Sequence, residues 1–199
     1  MNFLYFKIIL YLTIFIWLLP PFRQFKEKYF YFFLLLAISD LIVFSSNKFF
    51  YVDSSYIYIL ISYFAYLSIM SKIILKKNWY LFLILFLIII SFLFTVKIIS
   101  IRYLIFIFIN ILIFTKILFT FITDIGLHKI LKIFLIVFLL YELTVIFKFV
   151  NLIIGFTDSY SYYFITSVFE FFVGVFFSVF KEDNPRIVVK LKSLVSAAS

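Results

Sequence analysis

Four polar residues interrupt an otherwise apolar chain and could do chemistry there, namely Asp40, Asn110, Glu142 and Glu170. Each lies inside a run of residues that is apolar enough for the interior of a membrane. An aspartate at the centre of a bilayer costs about 2.5–3.5 kcal/mol on insertion scales, so each acid needs a partner or a function. No Lys or Arg falls in the central part of a predicted span, so buried salt bridges cannot neutralise all three acids. We expect them to be protonated, hydrogen-bonded, or exposed to a cation or a water-filled cavity.

These polar groups have one structural and two functional interpretations. As structural groups they would join helices through hydrogen bonds, which contribute about 0.6 kcal/mol per contact in membranes. As functional groups they would form a proton or cation site, or a pocket for a polar ligand. Gly174 and Ser178 form a small-xxx-small pair one turn after Glu170, and this spacing predicts a close contact between two helices.

No catalytic, cofactor-binding or metal-binding motif accompanies these residues. The chain has no Cys and a single His, His128, so thiol chemistry is excluded and a second His for a metal site is missing. The sequence contains neither a glycine-rich phosphate loop nor a nucleophile elbow. Retinal would need a lysine in the middle of the seventh span, and this span has none before Lys181. We therefore expect no cofactor.

The composition points to membrane helices as the elements that position these residues. Hydrophobic residues make up 67% of the chain and the mean hydropathy is +1.25, whereas ordinary soluble domains are about 45–50% apolar. A transmembrane helix needs about 20 residues. The 199 residues therefore have room for six to eight spans, and the fold class predicted is an all-α integral membrane bundle.

Apolar runs between basic groups predict seven spans and their orientation. The spans are expected at residues 3–19, 30–44, 56–75, 79–96, 103–121, 130–150 and 160–180, and the segment from Thr123 to Gly126 is expected to separate the fifth helix from the sixth. If the first connection is cytoplasmic, that side receives 13 of the 18 Lys and Arg residues, because the other side keeps only Lys7, Lys48, Lys97, Arg102 and Lys148. This bias places the N-terminus outside and the C-terminus in the cytoplasm.

The chain is predicted to consist of a transmembrane domain, residues 1–181, and an interfacial tail, residues 182–199. Asn184 and Pro185 are typical of a helix start. Arg186, Ile187, Leu191 and Leu194 fit a short amphipathic helix on the cytoplasmic leaflet, and an alternating strand at 187–192 is the alternative. The basic groups on this side predict contacts with anionic lipid headgroups and not with nucleic acid.

Three functions stay open at this point. The seven spans, outside N-terminus, short loops and amphipathic tail resemble the seven-helix sensory regions joined to bacterial signalling domains. That resemblance implies a non-enzymatic sensor-like module or a small subunit in a bacterial inner membrane, acting through a membrane-protein partner or a second copy. The intramembrane acids allow transport of a proton, cation or small solute instead. The run Ala37-Ile38-Ser39-Asp40-Leu41 is similar to the Ser-Asp segment of bacterial lysoplasmalogenase-like proteins, which implies a lipid-modifying enzyme, although their further polar motifs are missing.

Overall fold

The computed structural model describes the backbone of residues 3–49, 53–96, 98–155 and 159–191, and the side chains of 8–46, 53–96, 98–155 and 161–191. This part of the chain is helical except for one small sheet, so the all-α prediction is confirmed. The helices are α1 (Phe3–Trp17), α2 (Leu19–Arg23), α3 (Phe30–Phe49), α4 (Ser54–Ile69), α5 (Lys72–Lys77), α6 (Trp79–Thr95), α7 (Ile99–His128), α8 (Ile133–Ile154) and α9 (Ser159–Val179). The strands are β1 (Ile130–Lys132) and β2 (Val188–Lys190).

Among the described residues, three helices are long and apolar enough to cross a membrane, namely Ile99–His128, Ile133–Ile154 and Ser161–Val179. Four further apolar helices are shorter, at Ile8–Arg23, Phe30–Ser46, Ser54–Ile69 and Trp79–Thr95. A helix of 16 residues such as α4 rises about 24 Å, which is less than the roughly 30 Å of bilayer hydrocarbon. Three spanning helices are fewer than the seven predicted, so the seven-span bundle is not confirmed.

Six of the longer helices pack around one interior, and the short helix α2 packs against α9. α7 packs against α4 and α8, α3 packs against α4, and α9 packs against α8, α1 and α2. Phe33 and Phe134 each meet the ring of Phe177, at centroid distances of 4.8 and 4.9 Å. These tilted and edge-on rings join α3, α8 and α9. Of α6, only Ile89 and Leu93 are buried, so this helix lies at the periphery.

The fifth helix does not end where the sequence predicted. α7 continues through Gly126 to His128 and stops because Lys129 adopts the left-handed conformation, with φ 54°. The Thr123 hydroxyl donates to the carbonyl of Phe119 at 2.8 Å, a bond that keeps this turn helical. The predicted break between Thr123 and Gly126 is therefore wrong, because the left-handed residue that ends the helix comes three positions after the glycine.

Within the described part of the tail, residues 182–191, the structure has a strand where the amphipathic helix was predicted. Val188–Lys190 pairs antiparallel with Ile130–Lys132, and backbone hydrogen bonds from Leu191 to Lys129 and from Ile133 to Ile187 extend the pairing. The alternating-strand alternative is correct here because β1 offers backbone partners and β-branched residues fit a strand. Asn184 Oδ1 accepts from the backbone of Arg186 and so closes a turn, whereas Leu194 lies outside the described residues. We call the end of the bundle that carries this sheet the strand end.

Candidate functional site

A cavity of about 130 Å³ lies inside the bundle, and all four polar residues singled out in the sequence line it, Asp40, Asn110, Glu142 and Glu170. They come from four different helices, α3, α7, α8 and α9. A cavity of roughly 150 Å³ can hold benzene, so this space is large enough for several water molecules or a small ligand. The fold therefore brings together residues that are up to 130 positions apart in the chain.

The three acids line the same cavity because each lies at the same depth along its helix. Asp40 follows the start of α3 by 10 residues, Glu142 follows the start of α8 by 9, and Glu170 precedes the end of α9 by 9. At 1.5 Å per residue each acid is about 14–15 Å from the strand end of its helix. Helix lengths and the antiparallel order of α8 and α9 thus place the carboxyl groups in one layer near the middle of the bundle.

One lysine enters this layer and pairs with Glu170. Lys148 Nζ lies 3.0 Å from Oε1 and 3.2 Å from Oε2 of Glu170, and 4.7 Å from the ring centroid of Tyr163. The sequence predicted only that buried salt bridges cannot neutralise all three acids, and among the described side chains Glu170 is the one of the three that a lysine contacts. The reason is that α8 continues to Ile154, so Lys148 starts about 9 Å inside the helix end and its flexible side chain extends further inward.

The other two acids have no such partner. Glu142 is 1% exposed, and its Oε2 lacks a hydrogen-bond partner among the described residues. Asp40 lies within electrostatic range of both Glu170 and Lys148, yet none of the salt bridges of the described side chains includes Asp40. The cavity thus holds three carboxyl groups and one ammonium group. Since unpaired buried charges are costly, the surplus carboxyl groups require protons or a bound cation.

The rest of the lining offers oxygen acceptors and aromatic faces. The hydroxyls of Thr13 and Ser39 donate to carbonyls in their own helices, at 2.9 and 2.7 Å, and Trp17 Nε1 donates to the carbonyl of Glu170 at 3.2 Å. Because these donors are already engaged, what the groups present to a ligand is oxygen lone pairs and a ring face. Asn110 is held likewise, with Nδ2 donating to the carbonyl of Phe106 at 2.8 Å. The lining also contains the hydroxyl groups of three tyrosines, which can donate as well as accept, so it suits a cation or a neutral polar ligand.

Gly174 lies at the closest approach of α9 to α1. A Cβ atom at this position would lie 2.9 Å from Ile16 Cγ2 and 3.3 Å from Trp17 Nε1, so only glycine fits without displacing a neighbour. The Ser178 hydroxyl donates to the carbonyl of Gly174 at 2.7 Å. The small-xxx-small pair therefore lies where Trp17 is pressed against α9, at the edge of the cavity.

A second charged cluster, which the sequence analysis missed, lies at the strand end. Lys132 Nζ is 2.9 Å from Glu182 Oε1, 2.9 Å from Asp183 Oδ1 and 3.4 Å from Asp124 Oδ2. Burial would lower the pKa of Lys132, but hydrogen bonds and charge attraction from Glu182 and Asp183 raise it above its usual value. The signal in the sequence is that Glu182 and Asp183 are the only adjacent pair of acids.

No family model, curated protein or solved structure matches this chain. Within the described ranges, no group of three or more His, Cys, Asp and Glu side chains is arranged to hold a metal ion. The three acids share a cavity without converging on a single point. Function is therefore inferred from the charges, donors and shape of the cavity.

Proposed function

We propose that this chain is a non-enzymatic multi-pass membrane protein, a sensor-like or regulatory module whose input is a proton or small cation bound in the acidic cavity. In this proposal the seven apolar helices α1, α3, α4, α6, α7, α8 and α9 span a membrane, with the strand end in the cytoplasm. Lysines that flank the shorter helices can extend their side chains to the interface, which lets a 16-residue helix span a locally thinned bilayer. The module would act through a membrane-protein partner or a second copy of the chain.

The observation that carries the proposal is the excess of carboxyl groups over ammonium groups around one cavity inside the bundle. Lys148 compensates one charge of Glu170, and Asp40 and Glu142 remain. Binding a cation or a proton there relieves the electrostatic penalty of two buried acids. A ligand that stabilises one charge state of the cavity shifts the bundle toward the packing that suits that state, which is the thermodynamic requirement for a sensor.

The test is a titration of the purified protein with protons, with sodium and with tetramethylammonium, followed through the infrared band of protonated carboxyl groups. We expect a band that disappears as pH rises or as the cation binds, and that is weaker in Glu142→Gln, where Asp40 is the remaining surplus acid. Asp183→Asn, which also turns an acid into an amide but lies at the strand end with its side chain 76% exposed, should titrate like the parent protein. Identical titrations of Glu142→Gln and the parent would overturn the proposal.

Transport is the second candidate, favoured by the placement of Asp40 and Glu142 on different helices along the same cavity. These two acids lie in one layer near the middle of the bundle and form no salt bridge among the described side chains, so they offer the midway binding step that a proton or cation transporter requires. In reconstituted vesicles with a pH-sensitive dye, a transporter would show flux that Glu142→Gln abolishes. Glu170→Gln would leave Lys148 without its salt-bridge partner, so Glu142→Gln is the cleaner variant. Binding without flux favours the sensor.

A further inference from the structure

We propose that a basic groove at the strand end, separate from the acidic cavity, binds the headgroup of an anionic phospholipid from the inner leaflet. The groove has a volume of about 820 Å³ and lies between the loop after α2, the junction of α4 and α5, and one face of α7. Four lysines line it, Lys26, Lys28, Lys72 and Lys116. The choice of leaflet rests on the membrane topology proposed above.

The groove exists because α4 ends early. Asp53, which caps α4, is 2.9 Å from Arg102 near the start of α7, so the two helices begin at the same level. α4 then rises about 24 Å over 16 residues before the backbone becomes extended at Met70. Lys116 follows Arg102 by 14 residues, or about 21 Å of helix. The recess left by α4 and the ammonium group of Lys116 are therefore at the same depth.

The chain then turns away from the bundle, which keeps the recess open. The Ser71 hydroxyl accepts from the backbone of Ile74 at 3.3 Å and so caps the short helix α5. On the opposite wall, the loop after α2 is held by backbone bonds from Glu27 to Gln24 at 2.9 Å and from Phe30 to Glu27 at 3.2 Å. Both walls are thus built by hydrogen-bonded turns, and they place lysines on either side of the opening.

The four lysines have no acidic partner in the described part of the chain. None of them takes part in a salt bridge of the described side chains. The one acid that lines the groove, Glu27, is 2.8 Å from Lys181. Lys28 Nζ lies 4.9 Å from the ring centroid of Tyr29 and Lys116 Nζ lies 5.7 Å from that of Phe119. Positive charge is therefore concentrated in the groove, and a phosphate group is the chemistry that balances it.

Apolar groups at the rim point to a lipid as the source of that phosphate. Phe25 is 56% exposed and Tyr31 is 65% exposed, and both line the groove together with Leu67 and Leu75. In the proposed topology the lysines lie near the depth of the lipid phosphate groups, and exposed aromatic and aliphatic side chains lie beside them. The lysines match the charged headgroup of a phospholipid, and the apolar side chains match its acyl chains. A soluble phosphate would gain nothing from the apolar rim.

The test compares two quadruple variants of the full chain that remove the same charge. The groove variant combines Lys26→Gln, Lys28→Gln, Lys72→Gln and Lys116→Gln, and the control combines Lys76→Gln, Lys77→Gln, Lys129→Gln and Lys190→Gln. Each protein is taken from vesicles of phosphatidylcholine with phosphatidylglycerol, and the phosphatidylglycerol retained is measured by native mass spectrometry. We expect at least about tenfold less retention in the groove variant and parent-like retention in the control.

Three results would overturn the proposal that the groove binds a lipid headgroup. Equal losses of phosphatidylglycerol from both variants would mean that the lipid is held by general charge attraction. Parent-like retention in the groove variant would mean that the groove is not a lipid site. Displacement of the lipid by inorganic phosphate alone would mean that the groove binds a soluble anion. Size-exclusion chromatography and the carboxyl titration of the cavity establish that the groove variant is folded.

The topology is tested separately, because the chain has no Cys and single cysteines can be labelled cleanly. With an impermeant maleimide, Ser54→Cys should react from outside and Ser71→Cys only after permeabilisation. Labelling of Ser71→Cys from outside would overturn the proposed topology and the choice of inner leaflet together. The expected labelling combined with parent-like lipid retention in the groove variant would overturn the groove alone.

Discussion

Two clusters in this molecule each contain one lysine and three carboxyl groups, yet they are connected differently. At the strand end, Lys132 Nζ lies within 3.4 Å of oxygens from all three of its acids, Asp124, Glu182 and Asp183. In the cavity, Lys148 Nζ contacts Glu170 at 3.0 Å, while Asp40 and Glu142 line the same space without a salt bridge among the described side chains. The two clusters contain the same charged groups, but these groups are arranged differently in space.

The difference separates a structural cluster from a binding site. Lys132 connects β1 to the end of α7 and to the segment before β2, and Asp183 is 76% exposed, so water shares the charge. In the cavity the side chains of Lys148 and Glu170 are only 15% and 14% exposed, and Asp40 and Glu142 form no salt bridge among the described side chains. At the strand end, all three acids contact the lysine, so this cluster stabilises the fold. In the cavity, two acids form no salt bridge among the described side chains, and this favours the binding of a proton or a cation.

The largest expected effect comes from breaking the buried pair. Glu170→Gln should lower the free energy of unfolding by about 3 kcal/mol, because it leaves the ammonium group of Lys148 buried without a counter-ion. Unfolding in mixed detergent, followed by circular dichroism, measures the loss. The double variant Lys148→Met with Glu170→Gln should recover most of it, since an apolar side chain needs no partner. A loss in the double variant as large as in the single one would contradict a buried ion pair.

A smaller loss is expected at the strand end. Lys132→Met should lower the free energy of unfolding by about 1–2 kcal/mol, because Asp183 can be solvated when its partner is removed. The change should also release β2, seen as faster hydrogen exchange at Val188–Lys190, while exchange in α8 near Lys148 stays as in the parent. If exchange rises throughout the bundle, the two clusters are not independent and the comparison fails.

The smallest effect belongs to the pair at the other end of the bundle, Asp53 with Arg102, in which Arg102 is buried and the carboxylate is partly exposed. Burial raises the pKa of Asp53, but hydrogen bonds from Ser55 and Arg102, together with the Arg102 charge, outweigh it and lower that pKa below its usual value. A lowered acid pKa contributes stability above the unfolded value of about 3.9, and this contribution is lost as pH falls through the folded pKa. The Asp53 side chain is 34% exposed, so we expect less than about 1 kcal/mol.

Unfolding measured from neutral pH down to strongly acidic pH, for the parent and for Asp53→Asn, checks this third prediction. The variant should lack the part of the acid-induced loss that begins below about pH 4. A stability difference between the two proteins that stays constant with pH would mean that folding does not shift the pKa of Asp53.

Some of these features could be predicted from the sequence and others could not, and the reasons are physical. The polar residues of the cavity could be singled out from sequence, because an acid in a long apolar run is conspicuous whatever the fold is. Lys148 could not be assigned to Glu170, because its position near a helix end is equally compatible with an outward-pointing side chain. The tail beginning at Ile187 could not be assigned either. Six alternating residues fit a helix or a strand, and only the nearby backbone of β1 decides between them.

The amino-acid sequence was enough to predict that the chain is mainly helical and to single out the residues that could not be left without partners. Both are local properties, because they depend on the length of an apolar run and on the chemistry of single side chains. Only the tertiary structure decided that Asp40, Glu142 and Glu170 face one cavity, that one lysine serves one of them, and that another lysine is surrounded by three acids at the strand end. Those facts depend on helix length, on helix order and on the distance between atoms from separate helices, which residue types along a chain do not contain.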